Sequence, residues 1–444
     1  MLSIGQKVKT WFTKETLTVI KKIGEGGQGA VYLVQGETYG LKALKWYNEA
    51  QATKEQRNII IDLINVGRPD GKIGERFVWP LDLVELDGQS RRFGYIMDII
   101  DRKKFCSLGE VWANIQPAPS FSTMCKISYR MAEAFRKLHL AGFCYRDISI
   151  DNMLFNSTTG DILICDNDNI GVNGETNTQI LGTMEYMAPE VILGKAAPST
   201  ETDLHSLAVL LFQLWIWHHP FHGMMEYVIR SWDLPAKIKV YGENPIFIFD
   251  PHNDQNGLPN DPEYDTARER WKLCPGSLKK LFIRAFTDGL KDPNKRVTEG
   301  EWMRLFKKLE HSIVSCPHDR AENIWDEEAN ALFCWYCGKQ LSIPPRFHID
   351  SLDGKKTILL TSGVKIMSHD LFPHLLDEEN TLVAEVVQNP KNPKIWGLKN
   401  HTSNPWTGTK KDGSTLTVEP GRAAILTNGL VIQFSREVKG KVEG

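Results

Sequence analysis

The sequence predicts an α+β protein of several domains, on three observations. An alternating strand pattern surrounds a glycine-rich turn near the start. Helical patterns fill the middle. Short strands separated by turn residues fill the last hundred residues. At 444 residues the length favours two or three domains, each long enough for a real core. The formal net charge of −2 carries no basic footprint for nucleic acid. The longest apolar run, residues 207–217, is interrupted by Gln213. It is too short to span a bilayer and reads as a buried helix. Residues 1–14 lack the apolar core of a signal peptide, and no anchor motif closes the sequence, so a cytoplasmic location is expected. Cys106, Cys125, Cys144, Cys165 and Cys274 are scattered and read as small apolar residues, not as a disulfide framework.

The first chemical signal is Ile23-Gly24-Glu25-Gly26-Gly27-Gln28-Gly29-Ala30-Val31, a G-x-G-x-x-G-x-V pattern. Glycines let backbone approach phosphate groups without a side-chain clash. A dinucleotide-binding turn of similar spelling must open a helix. Here residues 30–34 alternate like a strand, residues 35–38 turn, and residues 41–47 read as a second strand. Ala43-Leu44-Lys45 puts a lysine on that strand, with Lys42 as its rival. Residues 53–63 read as a helix with Ile59, Ile60 and Leu63 on its apolar side. Glu55 is its expected functional acid, with Gln56 and Asp62 as alternatives.

Transfer of a phosphoryl group needs few protein groups. A carboxylate orients the attacking hydroxyl, and an amide and a second carboxylate hold metal on the phosphates. Tyr145-Arg146-Asp147-Ile148-Ser149-Ile150-Asp151-Asn152, followed by Gly160-Asp161-Ile162-Leu163-Ile164-Cys165-Asp166, offers that set in Asp147, Asn152 and Asp166. Further stretches follow the same order: Tyr95-Ile96-Met97-Asp98-Ile99-Ile100, Leu138-His139, Gly182-Thr183-Met184-Glu185-Tyr186-Met187-Ala188-Pro189-Glu190, Thr202-Asp203, and Asp292-Pro293-Asn294-Lys295-Arg296.

The ordered set resembles the eukaryotic-type (Hanks) protein kinases over residues 15–312. The resemblance implies a bilobal protein-kinase fold, with an N-lobe at 1–100 and a C-lobe at 101–313. It implies ATP with Mg2+ or Mn2+. Gly24, Gly26, Gly29, Val31, Lys45, Glu55, the gatekeeper Met97, Asp98 and Ile100 would surround the nucleotide. Asp147 would orient the hydroxyl, and Asn152 and Asp166 would hold metal. Asp203, Glu190 and Arg296 would be structural. Transfer to Ser/Thr hydroxyls follows from the Gly182-Thr183 pattern and autophosphorylation from the retained catalytic set, with Thr176, Thr178 and Thr183 as activation-segment sites.

Three departures from the family pattern bear on activity. Ser149 stands where many relatives carry a lysine. Asp166-Asn167-Asp168 replaces D-F-G, with Asp166 preferred as the ligand because it continues the 161–165 strand. Tyr145 replaces a histidine. The wording D-I-S-x-x-N with I-C-D-N-D-N resembles a bacterial branch often encoded beside a von Willebrand A protein and a PP2C-type phosphatase. That implies those two partners and a bacterial signalling or stress-response role. The alternative is a nucleotide-binding pseudokinase acting as an adaptor. A small-molecule kinase fits the A-P-E segment and Arg296 poorly.

Residues 244–265, rich in Pro, Asn, Asp and Gly, read as a surface loop pinned by Ile246-Phe247-Ile248-Phe249. Residues 314–345 read as a zinc-ribbon-like segment. Cys334-Trp335-Tyr336-Cys337-Gly338-Lys339 resembles its second knuckle, and the first is degenerate. Cys316, His318, Cys334 and Cys337 are the expected structural zinc ligands, with Asp319 the alternative at the C-x-x-C position. Pro344-Pro345 reads as a stiff linker. Residues 346–444 carry short strands with Asp412-Gly413 and Asn428-Gly429 turns, predicting a β-sandwich that folds alone. Residues 397–434 resemble the end of a forkhead-associated (FHA) domain. That family binds phosphothreonine, and a binding loop would hold Asn400, Thr402, Ser403 and Asn404. The family's Gly-Arg and Ser-x-x-His phosphate loops have no clear counterpart, Ser368-His369 being the nearest, so docking is the expected role.

Overall fold

The amino-terminal strands alternate inward and outward residues, and that alternation closes them into a barrel. β1 (Lys7–Thr10), β2 (Thr16–Gly26), β3 (Gly29–Gln35), β4 (Leu41–Tyr47), β5 (Asp82–Leu86) and β6 (Gln89–Met97) run in the order β1-β2-β3-β4-β6-β5, and β1 pairs back onto β5. The computed structural model describes residues 1–86, 89–174, 182–329, 331–351, 354–375 and 380–444. Val8, Leu17, Val19, Tyr32, Val34 and Trp46 fill one side of the sheet, as the two-residue period of a strand requires. The closing strand was not legible beforehand, because Lys-Val-Lys-Thr holds one apolar residue. Its seam is held by the buried Asp82, which accepts bonds from Phe12 N (2.9 Å), Thr13 N (3.0 Å) and Thr13 Oγ1 (2.9 Å).

α1 (Lys54–Val66) starts where the Thr53 side chain accepts a bond from Gln56 N, which satisfies one free N–H of the first turn. It buries Ile60 and Leu63, Ile60 in the cluster that Ala43, Tyr47, Phe93, Tyr95 and Met97 form on the other side of the sheet. Downstream, α2 (Phe121–Leu140) precedes two short antiparallel strands, Met153–Phe155 and Ile162–Ile164. α3 (Thr200–Ile216) is buried on nearly every side, as an all-round apolar helix must be. In the 244–265 segment Ile246, Phe247 and Ile248 are buried. Asn256 Nδ2 holds the segment by donating to the carbonyls of Phe221 (3.0 Å) and Ile246 (2.7 Å).

Contacts divide the chain into two units. One holds residues 1–118, 130–268 and 281–299, and the other holds 119–129, 269–280 and 300–444. The division therefore falls neither at 313 nor at 345. Polar bonds explain it. Ser122 N donates to Glu322 (2.7 Å), Gly276 N to Asp326 (2.7 Å), and Leu359 N to the carbonyl of His311 (3.0 Å). The buried Asp370 pairs with Lys356 and lies 3.6 Å from His311 Nε2. Burial pushes His311 down to about 4, so at neutral pH Lys356 supplies the countercharge.

Within this second unit, Ile313–Ser315 pairs with Glu322–Ile324, and Leu332–Phe333 with Gln340–Leu341. A six-stranded and a four-stranded sheet follow. They contribute to one core around Phe347, Ile358, Val386, Leu398, Trp406 and Ile432. The tail past Pro344-Pro345 has its own core, yet it is bonded to residue 311 and is not a detached body.

Candidate active site

The β2–β3 hairpin carries the glycine-rich turn at its tip, with Gly24 opposite Val31 and Gly26 opposite Gly29. Gly29 is required by packing as well as by any ligand, since a Cβ there would meet the Trp46 carbonyl oxygen at 2.1 Å. Val31, Lys45 and Tyr95 lie in register across β3, β4 and β6, so their side chains share one face. Tyr47 joins them two residues after Lys45. Met97 is buried at the end of β6, and the exposed Asp98 after it pairs with Lys42 at 2.7 Å. That assigns Lys42 to the rim and Lys45 to the cleft.

Lys45 is 5% exposed. Its Nζ donates to Gln28 Oε1 (2.7 Å) and to both oxygens of Asp168 (2.9 and 3.1 Å), and lies 3.4 Å from Asp166. Burial works against its charge, but Asp168 and Asp166 outweigh that and hold its pKa above the usual value. Tyr47 and Tyr95 hydroxyls also donate to Asp168, Tyr95 at 3.3 Å. Burial, then Asp168, pushes both phenols well up, so they stay protonated donors.

Glu55 does not join this group. It is exposed, because the inward face of α1 runs through the half-buried Gln56 and the buried Ile60 and Leu63, and Glu55 lies a position off that face. Gln56 faces inward instead, donating to the Asp168 carbonyl (3.1 Å) and the Tyr47 hydroxyl (3.2 Å).

Asp147 accepts four bonds. Oδ1 takes Thr183 N (2.8 Å) and Thr183 Oγ1 (2.7 Å), and Oδ2 takes Asn152 Nδ2 (3.0 Å) and Asn169 Nδ2 (3.2 Å). Thr183 thus belongs to the setting of Asp147, and its hydroxyl is committed there. Thr176 and Thr178 lie outside the described residues. Gly182 brings Thr183 in at φ +96°, where a Cβ would meet the Arg146 carbonyl oxygen at 2.4 Å. Asn152 also donates to the Asp147 carbonyl (2.9 Å). Asp166 sits in the left-handed region at φ 50° with its side chain 42% exposed, while Asp168 is buried. Asn167 is buried, and its Nδ2 donates to the Ile164 carbonyl (2.9 Å). Tyr145 packs edge-on against Phe135 and donates its hydroxyl to the Cys165 carbonyl. Ser149 is buried.

Asp203 on α3 fixes the loop from below, accepting Tyr145 N (2.5 Å) and Arg146 N (3.0 Å). It also meets His139 Nε2 at 3.0 Å, while Glu299 takes the other ring nitrogen. Burial opposes a charged His139, but Asp203 and Glu299 prevail and raise it from 6.5 to about 9. A raised histidine stabilises fully below its unfolded value and loses that contribution as pH rises through its folded one. Unfolding free energy of the wild type is therefore expected to fall between pH 6.5 and 9. The fall should reach ~3 kcal/mol at most and be missing from His139→Asn. Urea melts at the two pH values give the difference, and parallel curves for both proteins would contradict this role.

A second cluster lies in the other unit. Ligand atoms of Cys316, Asp319, Cys334 and Cys337 all fall within 4.8 Å of one another. Cys316 and Cys337 sulfurs are 3.7 Å apart, and Cys334 Sγ is 3.4 Å from Asp319 Oδ2. The two knuckles repeat one backbone pattern. Cys316 N bonds the Ala321 carbonyl and Arg320 N bonds that of Cys316, while Cys334 N bonds the Lys339 carbonyl and Gly338 N bonds that of Cys334. Arg320 and Gly338 both have positive φ. Asp319 therefore occupies the position that Cys337 holds in its own knuckle. His318, expected as a ligand, is exposed one residue away and is not in the group.

The missed residues are Gln28, Tyr47, Tyr95, Asp168 as the lysine's partner, and Asn169, while Gln56 had stood as an alternative to Glu55. Tyr47 alone had a signal, its two-residue spacing from Lys45.

The family model described as Protein kinase domain matches residues 17–304. The chain is similar to cGMP-dependent protein kinase 2 of Mus musculus, 28% identical over 295 residues, or 61% of this chain and 36% of that one. Putative ribosomal protein S6 kinase alpha-1 of Caenorhabditis elegans is 27% identical over 268 residues, covering 55% and 32%. Ribosomal protein S6 kinase alpha-4 of Mus musculus is 28% identical over 223 residues, covering 47% and 27%. The chain spans about a third of the length of these relatives.

Proposed function

The chain belongs to the protein kinase family, and from that premise we propose that it transfers the γ-phosphate of ATP to serine or threonine hydroxyls, its own included. The carrying observation is the Asp147 carboxylate held by Asn152, Asn169 and Thr183. A carboxylate so fixed orients an incoming hydroxyl and accepts its proton. Lys45 positions the phosphates from β4, and Gly24, Gly26 and Gly29 cover them. The backbone from Asp98 to Ile100 meets the adenine behind Met97. The reading includes Mg2+ or Mn2+. Asp166, half-exposed and oxygen-bearing, and the Asn152 side-chain oxygen fit a hard cation. Such an ion, bound with the nucleotide, neutralises phosphate charge. Ser149 brings no ammonium to the γ-phosphate, so modest turnover is expected.

The relatives named as ribosomal protein S6 kinases support a protein substrate, and the Gly182-Thr183 pattern supports the hydroxyl class. The bacterial-branch resemblance extends the reading to a cytoplasmic signalling or stress-response circuit, with a PP2C-type phosphatase and a von Willebrand A protein as partners. Among the described residues, no helix is long and apolar enough to cross a membrane. Incubation with labelled ATP, Mg2+ or Mn2+ and a generic protein substrate tests the reading. Phosphoserine or phosphothreonine should form with wild type and not with Asp147→Ala. Nucleotide binding with no transfer in any condition would leave the pseudokinase adaptor standing.

In the tail, a structural zinc held by Cys316, Asp319, Cys334 and Cys337 fits the sulfur-rich, four-donor set. Metal analysis should find one zinc per chain, and Cys337→Ser should lose it. Protein purified without chelator and free of zinc would refute this. For residues 346–444 an FHA-like sandwich serving as a docking module is the reading that fits best. Asn400 is buried and spends its amide on the carbonyls of Asn404 (2.8 Å) and Val418 (3.0 Å). It shapes its loop and does not face a ligand. His369 is buried as well, so neither residue offers the donors a phosphate requires.

A further inference from the structure

In protein kinases the lysine that holds the phosphates is paired with a glutamate on the following helix. The face of α1 turned to the site here carries Gln56, and Glu55 is exposed. Lys45 is gripped instead by both oxygens of Asp168, at 2.9 and 3.1 Å. Asp168 is fully buried. Its carboxylate takes the hydroxyls of Tyr47 and Tyr95, and its carbonyl takes Gln56 Nε2.

Resting on the kinase reading, we infer that Asp168 is the positioning residue for Lys45, supplying from the metal loop the carboxylate that relatives supply from the helix. Three donors already occupy Asp168, and burial shuts it off from solvent. Asp166, two residues earlier, keeps a half-exposed carboxylate for metal. The short turn Asn167–Asn169, together with Asp166 that caps it, thus holds both the lysine's partner and the metal ligand. The lysine and the metal loop hold each other directly. A helix α1 displaced outward would lose two neutral hydrogen bonds from Gln56 and leave the ion pair intact. Control by swinging that helix, which works by breaking a lysine–glutamate pair, has no such pair to break in this chain.

The test compares the full chain as wild type, Asp168→Asn, Asp168→Asn with Gln56→Glu, and Glu55→Ala. Each is titrated with a fluorescent ATP analogue and assayed for phosphate transfer with Mg2+. Asp168→Asn should weaken analogue binding or slow transfer by about 10–100-fold, the worth of a buried hydrogen bond to a charged group. Gln56→Glu returns a carboxylate to within reach of the Tyr47 hydroxyl, beside Lys45, and should recover about tenfold of the loss. A merely structural Asp168 would show no such recovery. Glu55→Ala should match wild type. Wild-type behaviour of Asp168→Asn in both measurements, or a loss that Gln56→Glu leaves untouched, would overturn the inference. If wild type transferred nothing, the kinase reading would fall, and analogue affinity across the same variants would still decide the role of Asp168.

Discussion

Asp147→Asn and Asp166→Asn are each expected to slow phosphate transfer by ~10²–10⁴-fold while leaving the fold in place. Asp147 meets Asn152, Asn169 and Thr183 through four bonds. Asparagine keeps the size but loses the charge that takes the hydroxyl proton. It also offers an amide where the carboxylate only accepted, so at least one of the four bonds must break. Asp166→Asn acts on a different term. It removes a negative ligand from the cleft, so its defect should shrink as Mg2+ or Mn2+ is raised, whereas that of Asp147→Asn should not. Initial rates over a metal titration separate the two, with thermal melts as the folding control. Equal rates in wild type and both variants would sink the enzymatic reading.

Arg296→Ala is expected to cost ~3–5 kcal/mol of stability, the effect of stripping one partner from a buried ion pair. The Arg296 side chain is 2% exposed and meets Glu190 at 2.7 Å. It also donates to the carbonyls of Gly289 (3.2 Å) and Glu201 (2.8 Å). Alanine would leave Glu190 without its countercharge and take one donor from each of two carbonyls. Arg296→Lys should recover part of the loss, because an ammonium keeps the charge but cannot reach three directions as the guanidinium fork does. Denaturant melts of the three proteins give the order. An alanine variant within experimental error of wild type would show that the pair carries no net stability.

Much of the site was legible beforehand because its parts are local. Glycines at a hairpin tip, a lysine on the next strand, and Asp147 and Asn152 within one loop are spacings along the chain, and backbone geometry turns such spacings into positions. Arg296 and Glu190 were legible as structural residues through the resemblance of their motifs. The errors came where one residue decides between neighbours. Glu55 and Gln56 are adjacent, and which faces the cleft depends on the rotation of α1, set by burial of Ile60 and Leu63. His318 and Asp319 are adjacent too, and the positive φ at Arg320 aims the second of them at the cysteines.

By itself, then, the sequence determined the family, the order of the chemical groups, the strand-rich tail and the cysteines of the knuckles. These rest on residue identity and short-range periodicity. Only the tertiary structure decided that β1 closes a barrel, that helical residues 300–310 group with the tail, and that Asp168 takes Lys45. Each of those joins residues far apart in the chain. Lys45 and Asp168 meet across 123 positions. Their contact is set by how β4, α1 and the 167–169 turn bury their apolar neighbours, which no local pattern encodes.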